Sequence, residues 1–508
     1  MAERRLRIYY TSDLHAHFFP TTYGDRDEKN IGLFKCAAQF EKDGNTLVLD
    51  GGDILQGSAF SYYCQKETGN AAAIAKIMNR CGYDAVTIGN HDFNYGFSYL
   101  RTYLENLNAP CICQNITNEE GKALYPWRVY TMENGLRIGI AGIVTDFVNV
   151  WENPKHLTGI QVTDPFEAAR RALSEMRSKC DITLCIYHGG FEQDLDNNAL
   201  LEKNGENCGC RICRELDFDI LLTGHQHRSI PGRFLHGTYI VQPADKGQEY
   251  ARLDISLAEN ESGIIITSAL CVPGGSFNGT LSAPFVEIEH KVQEWLDQPA
   301  GFLPKPLLSE SRIRMAMTGS SIADFLNQVQ LSVSGAQLSA TGLANEITGF
   351  PEVVNRRDVL ATYPYANTLV VMEVTGAVLR AALERSAEYF ELNSGGEPEI
   401  ARGFLYPKVE HYNYDFFAGI EYQFNITCPK GQRLKKLYYA NAPVQDTDVF
   451  SLCLNNYRAS GAGGYPWYLK CKRLKEINIE MVEILLNYFE NNRNIVLNMP
   501  FQGAVVFR

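Results

Sequence analysis

Five short polar clusters, each following a strand-like apolar run, occupy the first 230 residues of this chain. Asp13 and His15 follow Leu6-Arg7-Ile8-Tyr9-Tyr10, and Asp53 follows Thr46-Leu47-Val48-Leu49. Asn90-His91-Asp92 follows Ala85-Val86-Thr87-Ile88. His188 follows Ile182-Thr183-Leu184-Cys185-Ile186, and His225 and His227 follow Ile220-Leu221-Leu222. In open α/β sheets ligands bind beyond the carboxyl ends of strands, so five such runs can deliver their clusters to one edge. Asp13 or Asp53 alone reads as a turn or cap residue. Five clusters of metal-ligand residue types in this order predict a metal site.

At 508 residues the chain exceeds one ordinary core, and two or more domains are expected. Strands alternate with helical patterns over residues 1–230, with amphipathic helices from Asn70 to Arg80 and Asp164 to Ser178. That alternation implies an α/β layered fold. From about Gly237 to Ala283 the pattern turns to short β-rich segments. Phe285 to Leu296 reads as a helix, and Asp297-Gln298-Pro299-Ala300-Gly301 carries strong breakers that end it. The expected division is a catalytic domain over 1–284, a linker helix and hinge over 285–311, and a smaller α/β substrate-binding domain over 312–508. In the last of these, Ser320 to Val329, Gly376 to Phe390 and Met481 to Glu490 read as helices. Asn367 to Val374, Gly419 to Ile426 and Val449 to Leu454 read as strands.

Lys and Arg number 47 against 59 Asp and Glu, a net charge of −12. That balance argues against a nucleic-acid polymer or an anionic membrane as partner. It is compatible with a small phosphate ester, because bound divalent cations invert the local charge. No protein partner is predicted. No apolar run before Asp13 has the length of a signal peptide, and none anywhere would span a membrane, so a cytoplasmic location is expected. The 14 cysteines then read as reduced thiols. Cys208, Cys210 and Cys213 cluster but lack a fourth ligand at normal spacing.

Asp, His and Asn with no Cys inside the five clusters suit Mn, Fe, Co or Zn better than a thiolate-selected metal. Two divalent metals close together need one bridging carboxylate, and the central Asp53 is the natural candidate. Asp13, His15 and His227 complete one set of ligands; Asn90, His188 and His225 complete the other. Two such cations lower the pKa of water until it attacks at neutral pH. His91 diverges from Asn90 and reads instead as a hydrogen-bond donor or general acid, oriented by Asn94 three residues on. His156, His236, His290 and His411 read as structural histidines, and His17 stays outside the ligand set.

Asp13-Leu14-His15, Gly51-Gly52-Asp53, Gly89-Asn90-His91-Asp92, His188-Gly189-Gly190 and Gly224-His225-Gln226-His227 resemble the calcineurin-like metallophosphoesterase signature, complete and in order. The resemblance implies a four-layer αββα core, a dinuclear site and phosphoester hydrolysis. Beyond it, Asn367-Thr368-Leu369, Val374-Thr375-Gly376, Leu383-Glu384-Arg385-Ser386 and Leu454-Asn455-Asn456-Tyr457-Arg458-Ala459-Ser460-Gly461 resemble the nucleotide-specificity domain of the 5′-nucleotidase family. In that family two aromatic rings sandwich the base. The matching positions are Tyr414, five residues before Gly419, and Tyr457. Arg458, Gly461 and Gly463 are the further substrate-binding candidates, with Gly464 shaping the same loop.

Two departures from the 5′-nucleotidase pattern bear on the substrate. Typical members carry Gly-Gly-Gly-Ile-Arg where this chain reads Ala340-Thr341-Gly342-Leu343-Ala344-Asn345, with no arginine. Typical members also carry an Asp for the ribose hydroxyls where Gly463 stands, in Ser460-Gly461-Ala462-Gly463-Gly464. Together with Phe93-Asn94-Tyr95-Gly96, these features resemble the relatives that hydrolyse 2′,3′-cyclic nucleotides and 3′-nucleotides. In a 2′,3′-cyclic substrate the 2′ and 3′ hydroxyls are esterified, and a facing carboxylate would repel the phosphate. The alternatives are a 5′-nucleotidase or nucleotide-diphosphate-derivative hydrolase, and, more remotely, an inactive nucleotide-binding protein.

Overall fold

The computed structural model describes residues 4–201, 205–257, 263–274, 279–477, 479–497 and 503–507. Met1 to Glu3, the N-terminal approach to the first strand, lie outside the described residues. The chain divides into two compact units, Met1–Val292 and Gln293–Arg508.

In the first unit β1 (Arg4–Thr11) alternates its faces. Leu6, Ile8 and Tyr10 enter a core between two sheets, while Tyr9 points the other way and stacks on Phe40 at 4.8 Å. Next come β2 (Thr46–Asp50) and α1 (Ala72–Cys81), which buries Ile74, Ala75, Ile77, Met78 and Cys81 along one stripe. Gly82 ends α1 in the left-handed region, at φ +77°, where a Cβ would be unfavourable. After β3 (Ala85–Val86), β4 (Arg128–Thr131) and β5 (Arg137–Val144), α2 (Pro165–Met176) starts on an Asp164 cap with proline in its first turn. The strands β6 (Ile182–His188), β7 (Ile220–Thr223), β8 (Ile230–Leu235), β9 (Thr238–Gln242), β10 (Tyr250–Leu257) and β11 (Ile264–Cys271) come after it.

One sheet has the order β11-β10-β1-β2-β3 and the other β8-β9-β7-β6-β5-β4. β6 is buried along its whole length, because it is covered on both faces. Ile182, Leu184 and Ile186 face the inter-sheet core; Cys185 and Tyr187 face a second core shared with α2. This is the αββα layering. Its consequence for function is direction: β1, β2 and β3 are mutually parallel, as are β5, β6, β7 and β9, so each parallel set ends at one edge.

The division between the units falls within α3 (Val286–Leu296). The elements of the second unit that matter here are, in order, β12 (Pro299–Phe302), α4 (Ser321–Ser334), β13 (Leu338–Gly342), β14 (Val353–Asn355), β15 (Leu369–Thr375), α5 (Gly376–Ala387), β16 (Asp415–Ala418), β17 (Val449–Asn455), α6 (Asn456–Ala459), β18 (Lys472–Ile477) and α7 (Met481–Asn491). Its main sheet has the order β16-β13-β17-β15-β18. The breaker-rich stretch after Leu296 is not a loop. Pro299 opens β12, which pairs with β14, and a Cβ on Gly301 would lie 2.8 Å from Phe489 Cβ. Proline is tolerated at the start of an edge strand, and glycine where another chain segment crowds it. Gly301 is therefore a packing position.

The 14 cysteines are all free thiols. Cys210 and Cys213 pack in the core beside α2, and the Cys208 thiol contacts the Tyr187 hydroxyl at 3.5 Å. No helix among the described residues is long and apolar enough to cross a membrane.

Candidate metal centre and nucleoside clamp

The expected ligands sit at or just past their strand ends, and the backbone there is unusual. Asp13, His15, Asp53, His225 and His227 have φ of +54°, +48°, +58°, +67° and +52°. Non-glycine residues avoid this region at a cost of about 1–3 kcal/mol each and hold it only where the surroundings fix them. Here the loops brace one another. Asp13 N–H donates to Gly52 O at 3.0 Å and His15 N–H to Asp53 O at 2.8 Å. A Cβ on Gly52 would stand 2.3 Å from Gly89 N, so these two motif loops touch backbone to backbone.

Asp92, to which the sequence assigns no role, ties them. Its carboxylate accepts from the backbone N–H groups of Gly89, Asp53, Ile54 and Leu55 at 2.8–3.0 Å. The Asp residue of a Gly-Asn-His-Asp cluster carries no mark in sequence that distinguishes a buried anion clamp from a surface carboxylate.

The side chains converge as two groups. Asp13, His15, Asp53 and His227 each offer one donor atom, and the four atoms lie within 4.8 Å of one another. Alongside, Asn90 Oδ1 lies 2.8 Å from His225 Nδ1 and 3.2 Å from His188 Nε2. Asp53 belongs to both groups. Its Oδ2 lies 3.1 Å from His188 Nε2 and 4.0 Å from His15 Nε2, yet it is buried without a well-formed hydrogen bond. A buried carboxylate oxygen left in that state has the donor chemistry of a metal bridge. The tautomers agree: His15 Nδ1 bonds Gln56 O at 2.7 Å and His188 Nδ1 bonds Gly51 O at 2.6 Å, which leaves both Nε2 atoms as ligands.

Without cations the acids and histidines balance one another, and a metal on His188 would have to displace its proton. Burial alone would push Asp53 up and His188 down. Their mutual attraction reverses both, so Asp53 stays ionised well below the usual carboxylate range and His188 is pushed up to about 10. Burial lowers His15 to about 4, which keeps it a neutral imidazole. Further partners were invisible in the sequence. Glu206 bonds His225 Nε2 at 2.9 Å, Trp151 stacks on the His225 ring at 5.6 Å, and Asp245 approaches His227 Nδ1 at 3.4 Å.

His91 is not one of the converging donors, although its ring lies edge-on to His15 with centroids 5.4 Å apart. Its backbone N–H donates to Asp53 Oδ1 at 2.7 Å, and its ring Nδ1 lies 2.8 Å from Asn94 Oδ1.

In the second unit, β17 runs parallel to β13 and β16 antiparallel, so the end of β17 and the start of β16 share an edge. Tyr457 stands at that edge, but the ring beside it is Tyr412, with centroids 6.3 Å apart at 75°. Both rings are partly exposed. Tyr414 is corrected out of the site. It is 2 % exposed, its hydroxyl donates to Ala316 O at 2.9 Å, and Tyr389, Phe390 and Phe416 enclose its ring. No face is left for a base.

Arg458 is a second correction. It too is 2 % exposed, and it spends its five N–H donors inside the protein. They go to both oxygens of Asp415, to Asn413 Oδ1, to Tyr412 O and to Ala462 O. It fixes the two tyrosine loops to one another instead of meeting a ligand. Removing one partner of a buried, hydrogen-bonded ion pair is costly. Arg458→Ala is therefore expected to lose about 3–5 kcal/mol of stability, read as a lower Tm; an unchanged Tm with a raised KM would return Arg458 to the ligand side.

The glycines obey the same logic. Gly461 and Gly463 have φ of +80° and +70°, and a Cβ on Gly463 would lie 2.0 Å from Arg458 Nη1 and 2.2 Å from Asn413 Oδ1. Gly463 thus faces Arg458 and Asn413. A guanidinium does reach the arginine-lacking segment from elsewhere: Arg312 Nη2 donates to Ala344 O and Asn345 O at 2.5 and 2.6 Å.

An αββα core whose strand ends gather two Asp, four His and one Asn around a shared buried carboxylate defines a dinuclear-metal hydrolase. Comparison with known proteins agrees. Residues 6–229 match the calcineurin-like phosphoesterase family and residues 300–470 the 5′-nucleotidase C-terminal domain. A Staphylococcus aureus protein provisionally named a 5′-nucleotidase, solved with alpha-ketoglutarate, is similar over 99% of this chain and 100% of its own, with 31% identity and a TM-score of 0.93. The chain belongs to this family of metal-dependent phosphoesterases, hydrolases with a calcineurin-like catalytic domain and a 5′-nucleotidase-type C-terminal domain.

Among its relatives, the trifunctional nucleotide phosphoesterase protein YfkN of Bacillus subtilis is 25% identical over 96% of this chain, which spans 38% of YfkN. The 2′,3′-cyclic-nucleotide 2′-phosphodiesterase/3′-nucleotidase of Yersinia enterocolitica is 25% identical over 89% of this chain and 80% of its own. Calcineurin-like phosphoesterases use two divalent metals, and the Asp/His group around Asp53 has the donor set to hold them.

Proposed function

We propose that this chain hydrolyses 2′,3′-cyclic nucleotides and 3′-nucleotides. The observation that carries the reading is Gly463. In its loop the space a side chain would take is filled by Arg458 and Asn413, and no carboxylate stands there for free ribose hydroxyls. The two acidic residues beside the tyrosine pair are already engaged. Asp415 pairs through both oxygens with Arg458, and Glu410 accepts from Asn413 Nδ2 at 2.8 Å and from the Tyr412 hydroxyl at 3.4 Å. A ribose whose hydroxyls are esterified needs no acceptor there. The name of the Yersinia relative supports the same class, and that of the Bacillus relative supports nucleotide phosphoester hydrolysis.

Asp13, His15, Asp53 and His227 would hold one metal; Asn90, His188, His225 and Asp53 would hold the other. Two bound divalent cations supply a water nucleophile at neutral pH and neutralise phosphoryl charge. The chain's own residues do the rest. Asp92 keeps the ligand loops in place. His91, held by Asn94 and by its N–H bond to Asp53, donates a proton to the leaving oxygen. Tyr457 and Tyr412 offer ring faces to the base, a grip largely indifferent to its identity.

A second reading, 5′-nucleotide hydrolysis, is favoured by the likeness to the Staphylococcus aureus protein. Phosphate release from the Mn²⁺-supplemented protein separates the two. The substrates are 2′,3′-cyclic AMP with a coupled phosphatase, 3′-AMP, 5′-AMP and an aryl phosphodiester. Preference for the first two is expected; preference for 5′-AMP sinks the assignment. We place the protein in a reducing compartment, the cytoplasm, because its 14 cysteines are all unpaired. Its recovery from an exported fraction of the native cell would contradict that placement.

A further inference from the structure

We infer that Glu152 is a positioning residue for His91, acting through Asn94. The inference rests on reading His91 as the proton donor to the leaving oxygen. Sequence gives His91 only an amide for a partner, since Asn94 is uncharged. The structure brings a carboxylate to the far side of that amide from 58 residues downstream.

Glu152 lies between the short helix Val148–Trp151 and the turn Pro154–Leu157, and its side chain is almost fully buried. Its Oε1 accepts from Asn94 Nδ2, and its Oε2 lies 2.9 Å from His156 Nδ1. The same segment seats Trp151 on His225, so the loop braces both sides of the centre.

The direction of each hydrogen bond is set by one fact: an ionised carboxylate only accepts. The amide must therefore turn its NH2 toward Glu152, which turns Oδ1 toward His91 Nδ1, 2.8 Å away. Oδ1 also only accepts, so His91 Nδ1 must carry hydrogen. Nε2 is left as the ring nitrogen that meets substrate. Without Glu152 the amide is free to flip. A flipped amide aims N–H at Nδ1, so that Nδ1 cannot carry the hydrogen that the doubly protonated acid form needs there, and it releases the ring from its present rotation. Glu152 thus fixes both the orientation of His91 and the placement of its hydrogen, as the orienting member of a relay does.

In the reaction the water oxygen forms a new bond to phosphorus and releases its proton to solvent. The bond from phosphorus to the ribose oxygen breaks, and that oxygen takes the Nε2 proton of His91, which acts as an imidazolium and afterwards keeps its remaining hydrogen on Nδ1, against Asn94 Oδ1. A misplaced His91 slows this step and leaves substrate binding alone. It matters little for a p-nitrophenyl ester, whose leaving group departs without a proton.

The test compares wild type, H91A, E152A, N94D and N94D/E152Q as full-length, Mn²⁺-loaded proteins, with a melting curve for each. The substrates are 3′-AMP and a p-nitrophenyl phosphodiester. E152A is expected to lower kcat on 3′-AMP on the order of 10²-fold, the scale of a misplaced catalytic group. KM should hold, and the aryl substrate should lose far less. N94D sets two carboxylates against one another and is expected to be at least as damaged. N94D/E152Q restores a donor and an acceptor in reversed order and is expected to recover most of kcat. A double variant no better than N94D, or an E152A loss equal on both substrates, overturns the inference, since a merely structural Glu152 behaves that way. If H91A loses kcat on 3′-AMP and E152A does not, Glu152 falls and the reading of His91 stands. If H91A itself keeps kcat, both fall.

Discussion

Asp53→Ala is expected to abolish hydrolysis, with kcat/KM falling on the order of 10³-fold or more. Among the described residues Asp53 alone serves both ligand groups. It is 0 % exposed, its Oδ2 lies 3.1 Å from His188 Nε2, and its Oδ1 accepts from His91 N–H at 2.7 Å. Losing the carboxylate removes a ligand from each metal and the anchor of the His91 backbone together. Buried His188 also loses its nearest carboxylate neighbour. The expected readout is a drop in bound metal along with the loss of phosphate release. Turnover within tenfold of wild type would mean that some other group bridges the metals.

Tyr457→Ala is expected to raise KM roughly ten- to a hundredfold, from stacking worth about 1–3 kcal/mol per base. Stacking far from the phosphorus contributes equally to ground and transition states, so kcat should change little. Tyr412→Ala should behave alike, because Tyr412 is the ring that faces Tyr457. Tyr414→Ala supplies the contrast. Emptying a fully enclosed aromatic site is expected to cost about 3–5 kcal/mol of stability, seen as a lower Tm, with KM nearly unchanged in the protein that folds. Initial-rate kinetics and melting curves on the three variants separate a ligand face from a core ring. A KM that moves with Tyr414 and not with Tyr412 would reverse their assignments.

The convergence of the Asp and His side chains was legible because its signal is local. Each cluster comes directly after its own β-run, and a parallel strand places the residues next in sequence at its carboxyl end. The tyrosine pair was half legible. Counting back from Gly419 selected Tyr414, but the tight turn His411–Asn413 lies between Glu410 and Tyr414 and includes Tyr412. It sends Tyr414 into the core and leaves Tyr412 beside Tyr457. Nothing in residue type separates them.

Arg458 misled for a similar reason. A basic residue beside a ligand aromatic reads as substrate-binding or as one side of a salt bridge, and its Asp415 partner lies 43 residues away. Pro299 and Gly301 read as a linker because breakers usually interrupt strands, and here they are accommodated in an edge pairing with Val353–Asn355. Asp92, Glu152 and Glu206 act through hydrogen bonds that only the folded chain assembles. Long-range partners of this kind leave no periodicity to find.

Two divalent metals held around Asp53 are what would make this chain a nucleotide phosphoester hydrolase. The most direct measurement is metal content per chain, by elemental analysis, on the same preparation assayed for 2′,3′-cyclic AMP hydrolysis before and after chelation. Close to two metals per chain are expected, with loss of turnover as they are stripped and its return when Mn²⁺ is added back. Full turnover in metal-free protein, or two bound metals with no hydrolysis of any nucleotide, would contradict a metal-dependent nucleotidase.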